Sequence, residues 1–316
     1  MTTAVAMAVY NGASFIEGQL DTIRLQTKQP DHVVICDDGS KDNTVSIVRE
    51  YIRQHNLQDR WQIIVNEKNL GYIKNFYHAM DLCKADLIFL SDQDDIWCLD
   101  KIEKMEQVFS RNKEIKLLSC AHGFIDQEGN QIKGLLAPKP VVDEALVKID
   151  IHSIMISFLW LGMCMAIRKD FLNEILPQIE TVSVPHDMAL AIMAAKENGF
   201  YEYHYLGANH RRHGNNVGGE EHRLSKVLNI GRKLREIEDY NTMLQRILDA
   251  DFGQASHQRR LIEVRLQYSE ARLDGLTSRS FKKVFNLYSH DDEKFLRKFS
   301  MLCDYFLLLF GDYSPK

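Results

Sequence analysis

Between Leu87 and Trp97 the chain reads Leu-Ile-Phe-Leu-Ser-Asp-Gln-Asp-Asp-Ile-Trp, so a run of strand-forming residues stops against three carboxylates. Leu87 to Leu90 is short, apolar and partly β-branched, the pattern of a strand buried on both faces, and such strands belong to parallel sheets covered by helices. Asp92, Asp94 and Asp95 then emerge at the strand's carboxyl end, the edge at which open α/β sheets bind ligands. Two carboxylates one residue apart on a tight turn can converge on a hard divalent cation, Mg²⁺ or Mn²⁺, whose other positions are filled by phosphate oxygens or water. The competing reading is an Asp-rich loop that caps a helix beginning near Leu99.

The rest of the chain repeats this grammar. Thr3 to Val9 predicts a first strand, Tyr10-Asn11-Gly12 a turn, and Ser14-Phe-Ile-Glu17 has the spacing of a capping box for a helix to about Gln26. His32 to Cys36 predicts a second strand, ending in the carboxylate pair Asp37-Asp38 before Gly39-Ser40, with Asp42 or Asn43 capping a helix from Thr44 to His55. Trp61 to Val65 reads as a third strand, and Asn69-Leu70-Gly71 leads into a helix from Tyr72 to Leu82, with Ile73, Phe76, Tyr77 and Met80 on one face. Strands alternating with helices at this spacing predict an α/β fold with a mostly parallel sheet and right-handed crossovers.

After a helix over Leu99 to Arg111 and a fifth strand over Leu117 to His122, regularity fades. Glu128-Gly129-Asn130 reads as a turn and Leu135 to Pro140 as a loop. Gly162 to Ile167 predicts a strand, Lys169 to Leu176 a helix stopped before Pro177, and His186-Asp187 opens a helix that Gly199 terminates. Tyr201 to Leu206 reads as a short last strand whose exit runs to Arg212, followed by His213-Gly214-Asn215-Asn216. From Leu224 the pattern is helical and charged to about Arg272, with a final pair of helices between Ser280 and Phe310. The shift in composition places a domain boundary near Gly218-Gly219, giving a domain over 1–219 and a helical region over 220–316.

Composition narrows the partners. The net charge of −5 divides unevenly, with 22 basic and 30 acidic side chains over 1–220 against 17 and 14 over 221–316. An acidic front argues against a nucleic-acid groove, although a cation can bring a diphosphate to such a site. Six cysteines lie scattered with no Cys-x-x-Cys pair, which predicts reduced, cytoplasmic usage rather than a disulfide frame or zinc site. The chain enters its first strand without a signal-like segment, and no run is long enough to span a bilayer.

With Asp37-Asp38-Gly39-Ser40, Gly71 before a helix, Ser91-Asp92-Gln93-Asp94-Asp95 and His186-Asp187 in this order, the chain resembles family 2 inverting glycosyltransferases of the GT-A fold. Ser91 to Trp97, together with Pro185-His-Asp187 and Arg211-Arg-His-Gly-Asn-Asn216, is most similar to bacterial rhamnosyltransferases of cell-wall or surface polysaccharide synthesis. The resemblance covers about residues 1 to 217. It implies that Val9 and Tyr10 line the nucleotide slot, Asp37 faces the base with Asp38 beside it, and Gly71 belongs to the same nucleotide-sugar site. It further implies that Asp92 lies at the ribose or metal, that Asp94 is the principal ligand of Mg²⁺ or Mn²⁺, and that His213 makes a third metal or diphosphate contact. Asp187 is implied as the catalytic base. His186 departs from the more widespread Glu-Asp form of that motif.

The implied donor is dTDP-rhamnose and the implied acceptor a polyprenyl-linked saccharide, with a UDP-sugar donor as the alternative. A nucleotidyltransferase would need basic residues after the first strand, where Val9-Tyr10-Asn11-Gly12-Ala13-Ser14 stands. A non-catalytic sugar-nucleotide binder or scaffold would show a broken acidic set. The tail leaves three readings open. Lys282, Lys283, Lys294, Arg297 and Lys298 flank apolar residues before Tyr305-Phe-Leu-Leu-Leu-Phe310, a pattern for peripheral contact with the inner face of the cell membrane, a homodimer interface or ordinary packing.

Overall fold

The computed structural model describes residues 1–132, 139–156, 160–181, 184–213, 230–249, 256–289 and 298–311. Contacts divide the chain into two units: Met1–Ile149, Trp160–Thr181 and Pro185–Asn216 form the first, and Asp150–Leu159, Val182–Val184 and Val217–Lys316 the second. The boundary expected at Gly218-Gly219 and most of the loop expected over Leu135 to Pro140 lie outside the described residues, as do Leu224, Lys294 and Arg297.

The first unit is built on β1 (Thr3–Val9), α1 (Ile16–Arg24), β2 (His32–Asp37), α2 (Thr44–Gln54), β3 (Trp61–Val65), α3 (Tyr72–Leu82) and β4 (Leu87–Ser91). It continues through β5 (Ile96–Trp97), α4 (Lys101–Arg111), β6 (Leu117–Ile125) and β7 (Leu146–Lys148). After the second unit's α5 (Ile151–Ile156) come β8 (Met165–Arg168), α6 (Lys169–Ile179), α7 (His186–Lys196) and β9 (Phe200–Arg211). The sheet order is β3-β2-β1-β4-β8-β6-β9-β5, with β7 joined to β9. The four strands β3, β2, β1 and β4 are mutually parallel, as the alternating pattern requires. Beyond them β8 runs antiparallel to both β4 and β6, and β6 returns to a parallel pairing with β9.

Both faces of the parallel half are covered. Val5, Met7 and Val9 alternate into a core with Ile16, Leu20 and Ile23 of α1, Val48 and Ile52 of α2, and Ile102, Met105 and Phe109 of α4. The intervening Ala4 and Ala6 are equally buried, and α3 packs against β1 and β2. Leu87 to Leu90 are all without exposure, so the strand that carries the acidic loop is fixed from both sides.

Several local expectations change. No capping box forms: Phe15, not Ser14, precedes α1, no side chain caps it, and the Gly12 carbonyl accepts the Phe15 and Ile16 amides at 3.0 Å each. The stretch from Gly162 begins as a short 3₁₀ turn, Gly162–Cys164, before β8. Helix α6 runs through Pro177 to Ile179. Proline offers no amide to the Asn173 carbonyl and costs roughly 3 kcal/mol inside a helix. Burial of Ile179, wholly enclosed at the end of the apolar stripe, contributes roughly 1.5–3 kcal/mol and offsets most of that. Helix α7 ends at Lys196, and the left-handed φ of 58° beyond its cap falls on Asn198, while the Gly199 amide donates back to the Ala194 carbonyl at 2.8 Å.

The second unit gathers α5 with helices Ile230–Asp249, Ser256–Thr277, Phe281–Ser289 and Lys298–Phe310. Its core holds Ile230, Ile237, Leu276 and Leu307. Arg272 makes two bonds of 2.7 Å to the wholly buried Asp304, which also accepts from the Tyr288 hydroxyl at 2.7 Å. Part of the apolar tail is therefore ordinary core, while Phe281, Phe285, Phe306 and Leu309 stay exposed. No described helix is long and apolar enough to cross a membrane.

Candidate active site

Asp37 ends β2 and is fully buried. One of its oxygens accepts the Gly39 and Ser40 amides at 3.0 Å each, and the other accepts the Ser40 hydroxyl. This turn is possible because Gly39 holds a φ of 81°. Asp38 reaches the next loop: Oδ1 accepts from Asn66 Nδ2 at 2.9 Å and the Leu70 amide at 2.7 Å, and Oδ2 from the Gly71 amide at 2.8 Å. Gly71, with φ 81°, then opens α3, and the space where its side chain would lie is empty. Both carboxylates thus build turns.

The turn after β1 is tied to the same loop. The Asn11 amide donates to Ser40 Oγ and its side chain accepts the Lys41 amide, both at 2.8 Å, while the Ala13 amide donates to Asp42 at 3.1 Å. Val9 points into the core and contributes its carbonyl, which accepts the Asp38 amide at 2.9 Å. Tyr10 is exposed, and its backbone is held on both sides by Gln93, whose Oε1 accepts the Tyr10 amide at 2.8 Å and whose Nε2 donates to the Tyr10 carbonyl at 3.1 Å. Gly12 is required for this bridge, since a Cβ there would collide with the Gln93 amide.

The bridge joins these turns to the acidic loop. Asp94 and Asp95 are buried and Asp92 half-buried. Arg211, at the end of β9, fixes the loop from behind: its amide donates to Asp95 Oδ1 at 2.9 Å and its Nε to the Asp94 carbonyl at 2.7 Å. His213 Nε2 lies 2.8 Å from Asp94 Oδ2 and its ring stacks on Phe15 at 4.6 Å. His210 Nδ1 lies 3.1 Å from Asp95 Oδ1. Burial raises the Asp92 carboxyl well above its ordinary range, and repulsion from Asp95, Asp94 and Asp187 adds to it. Burial and Asp95 likewise raise Asp94, against the downward pull of the His213 contact. The second oxygen of Asp95 is buried without a partner.

That chemistry suits a hard divalent cation: crowded oxygen donors, raised by their own repulsion, with an orphaned carboxylate oxygen among them. Among the described residues no cluster of three or more His, Cys, Asp or Glu forms a finished cage. The donor set instead fits an ion that takes two or three protein ligands and keeps positions for diphosphate oxygens.

Asp187 stands in the first turn of α7, half-buried, its Oδ1 accepting the Met188 amide at 2.8 Å. Burial pushes its carboxyl up to about 6, although the amides of Met188 and Gly162 pull the other way. A carboxylate at that value holds a proton weakly near neutrality and can act as a base. Beside it, the buried His186 ring stacks on Phe76 at 3.9 Å and both of its nitrogens lack partners. Burial lowers its pKa to about 3, so the ring is neutral.

The structure thus brings Asp92, Asp94 and His213 together, sets Asp187 within electrostatic range of Asp92, and leaves Asp37, Asp38 and Gly71 as the frame of the adjoining loops. Gln93, Arg211 and Phe15 carry geometry that no motif announced. Their roles come from contacts between residues distant in sequence; Gln93 and Arg211 stand inside the Ser91-to-Trp97 and Arg211-to-Asn216 stretches, which gave neither of them a role.

Glycosyl transferase family 2 matches residues 4–171. Over 105 residues the chain is 41% identical to the dTDP-rhamnosyl transferase RfbG of Shigella flexneri, a match covering 31% of this chain and 34% of that protein. The chain therefore spans about a third of the length of that curated relative. The S. aureus TarS fragment 1–349 in complex with UDP-GlcNAc is similar in fold, with a TM-score of 0.60 at 15% identity, covering 99% of this chain and 93% of that one. The mannosyltransferase PcManGT of Pyrobaculum calidifontis, in complex with GDP-Man and Mn²⁺, gives 0.57 at 14% identity, covering 97% and 84%. With a family match reaching from the first strand into α6, and with a GT-A sheet that ends in the carboxylates described, the chain belongs to glycosyl transferase family 2.

Proposed function

We propose that this chain is a metal-dependent inverting glycosyltransferase that moves L-rhamnose from dTDP-rhamnose to a hydroxyl of a polyprenyl-linked saccharide, in bacterial cell-wall or surface polysaccharide synthesis. The reading rests above all on one observation: a base with its carboxyl raised to about 6 stands within electrostatic range of the acidic loop at the end of β4. Asp187 takes the proton from the acceptor hydroxyl as that oxygen bonds to the anomeric carbon, and the bond from that carbon to the diphosphate breaks on the opposite face. One base suffices for inversion, and no carboxylate nucleophile is required.

Asp94 and Asp92 would hold the cation, with His213 against Asp94. A divalent ion bound there neutralises charge on the departing diphosphate. Val9, Tyr10, Asp37, Asp38 and Gly71 are assigned to the nucleotide-sugar site, with Asp37 and Asp38 also holding the adjoining loops and Tyr10 exposed. Rhamnose as the sugar is supported by the partial likeness to RfbG. Catalysis is assigned to 1–219. The region 220–316 is assigned to peripheral contact with an anionic membrane face or to dimer formation, on the exposed Phe281, Phe285, Phe306 and Leu309 beside Lys282.

The test is nucleotide release across dTDP-rhamnose, UDP-GlcNAc and GDP-mannose, with Mg²⁺ or Mn²⁺ and with excess chelator. Release of dTDP that stops in chelator is expected. Release from a UDP-sugar alone would overturn the donor, undiminished release in chelator would overturn the metal, and no release from any donor would overturn the activity.

A further inference from the structure

Lys101, the first residue of α4, is wholly buried and has no task in the transferase reading. Lysine is almost never enclosed without a paired charge, because its ammonium loses its hydration in a core. Here Nζ donates to the Met163 carbonyl at 2.6 Å and lies 3.5 Å from the centre of the Trp97 ring. These partners are an uncharged carbonyl and an aromatic face, which hold an ammonium in place without cancelling its charge.

The indole that carries the ammonium is tied to both ends of the acidic loop. Gln19, wholly buried on α1, is oriented with its amide oxygen toward Trp97 Nε1 at 3.2 Å and Ser91 Oγ at 2.8 Å, and with its nitrogen toward the Asp95 carbonyl at 2.6 Å. Ser91 ends β4 and Asp95 precedes β5, so a single side chain clamps the loop where it leaves one strand and where it enters the next. Negative charge is concentrated between those clamps, and one oxygen of Asp95 is buried without a partner. Burial raises the Asp92 carboxyl and the neighbouring carboxylates add to that, while Lys101 opposes them. Burial lowers Lys101 in its turn, and Asp95 is among the groups that pull it back up. The ammonium and the loop thus act on each other through the protein interior, where salt screens charges little.

We propose that Lys101 is the fixed counter-charge of the acidic loop, a positioning residue that weakens the loop's hold on a divalent cation and strengthens its hold on the diphosphate of the sugar nucleotide. The role rests on the transferase reading of that loop. Crowded carboxylates alone favour the cation and repel the diphosphate. A positive charge set behind them on Trp97 and Met163 acts on both in the opposite sense, without touching either. A residue that merely filled the core would, on removal, shift both affinities in the same direction.

The experiment uses the full chain freed of metal by chelator and dialysis, at one fixed pH. Mn²⁺ alone is titrated and the free ion read by electron paramagnetic resonance, after which dTDP, UDP and GDP are titrated by calorimetry at saturating Mn²⁺. Lys101→Met removes the charge and keeps an unbranched side chain, and Lys101→Gln also offers an amide donor to the Met163 carbonyl. In both variants Mn²⁺ is expected to bind about tenfold tighter, and the nucleotide that the wild type binds is expected to bind about tenfold weaker. Thermal unfolding checks the fold, and should one variant fail to fold the other carries the comparison. Parallel weakening of ion and nucleotide, an unchanged affinity for either, wild-type behaviour in Lys101→Gln, or failure of both variants to fold would each overturn the counter-charge while leaving the transferase reading in place. A wild type that binds neither Mn²⁺ nor any of the nucleotides would overturn the metal-dependent reading and the counter-charge with it.

Discussion

The loops after β1, β2 and β4 and the start of α7 treat their polar groups in opposite ways. In the first region most donors and acceptors named are matched within the chain, the second oxygen of Asp95 excepted: Asp37 to its own turn, Asp38 to the loop before α3, Gln93 to Tyr10, Arg211 to the acidic loop. At α7 the two nitrogens of His186 are unmatched and Asp187 keeps a raised carboxyl. A frame that is satisfied by itself is preorganised and needs no ligand to hold its shape. A polar group left unmatched in a buried place carries a desolvation cost that nothing in the chain offsets. On the proposed function, the matched loops are the donor side and the start of α7 is the acceptor side.

This contrast can be broken at graded cost. The largest effect is expected from Asp94→Ala, which removes the buried carboxylate beside His213; turnover should fall roughly 10³-fold, the scale of several kcal/mol of charge stabilisation. Steady-state rates over a metal titration check it. Next, Asp38→Ala leaves the donors on Asn66, Leu70 and Gly71 without their acceptor, at about 1–3 kcal/mol for the buried set. Thermal unfolding should show a drop of several degrees, and activity should fall with it.

A smaller effect should follow from pH. Because Asp187 must be ionised to act and its carboxyl is raised to about 6, kcat should be level above that value and fall about tenfold per unit below it. A pH–rate profile that falls only near pH 4 would return Asp187 to an ordinary exposed carboxylate. The smallest change is expected from Gln93→Ala, which cuts the bridge between Tyr10 and the acidic loop and should raise the donor KM a fewfold, leaving the acceptor KM unmoved.

Sequence reasoning read the cradle's elements well and their contacts poorly. The bounds of β1, β3 and α3 follow from local apolar spacing, and the acidic loop from a strand that ends in aspartates. What local pattern cannot carry is pairing. β5 and β7 are two and three residues long and exist because β9 accepts them. β9 itself runs twelve residues through Gly207, which reads as an exit but is needed where Cys120 Sγ packs against its backbone and where the pairing with β6 changes register. Pro177 and Gly199 depart from expectation for a related reason: burial of Ile179 carries α6 past its proline, and the left-handed position at the α7 terminus falls on Asn198 rather than on the glycine.

At the site, the types and order of Asp92, Asp94, Asp187 and His213 were legible as a constellation, since their chemistry is carried by the residues themselves. The turn-building contacts of Asp37 and Asp38 are not separable from base binding in the sequence, because a carboxylate beside a glycine looks the same whether it binds a base or its own amides.

The separation of the two sides is tested most directly by Asp187→Asn, an isosteric change that keeps the helix start and removes the base. Donor nucleotide affinity is measured by titration calorimetry and turnover by nucleotide release, on the same preparation. The account predicts a dissociation constant within about twofold of wild type and a kcat lowered by about 10²- to 10⁴-fold. A loss of nucleotide affinity that matches the loss of turnover would contradict it, and would place Asp187 in the frame of the cradle instead.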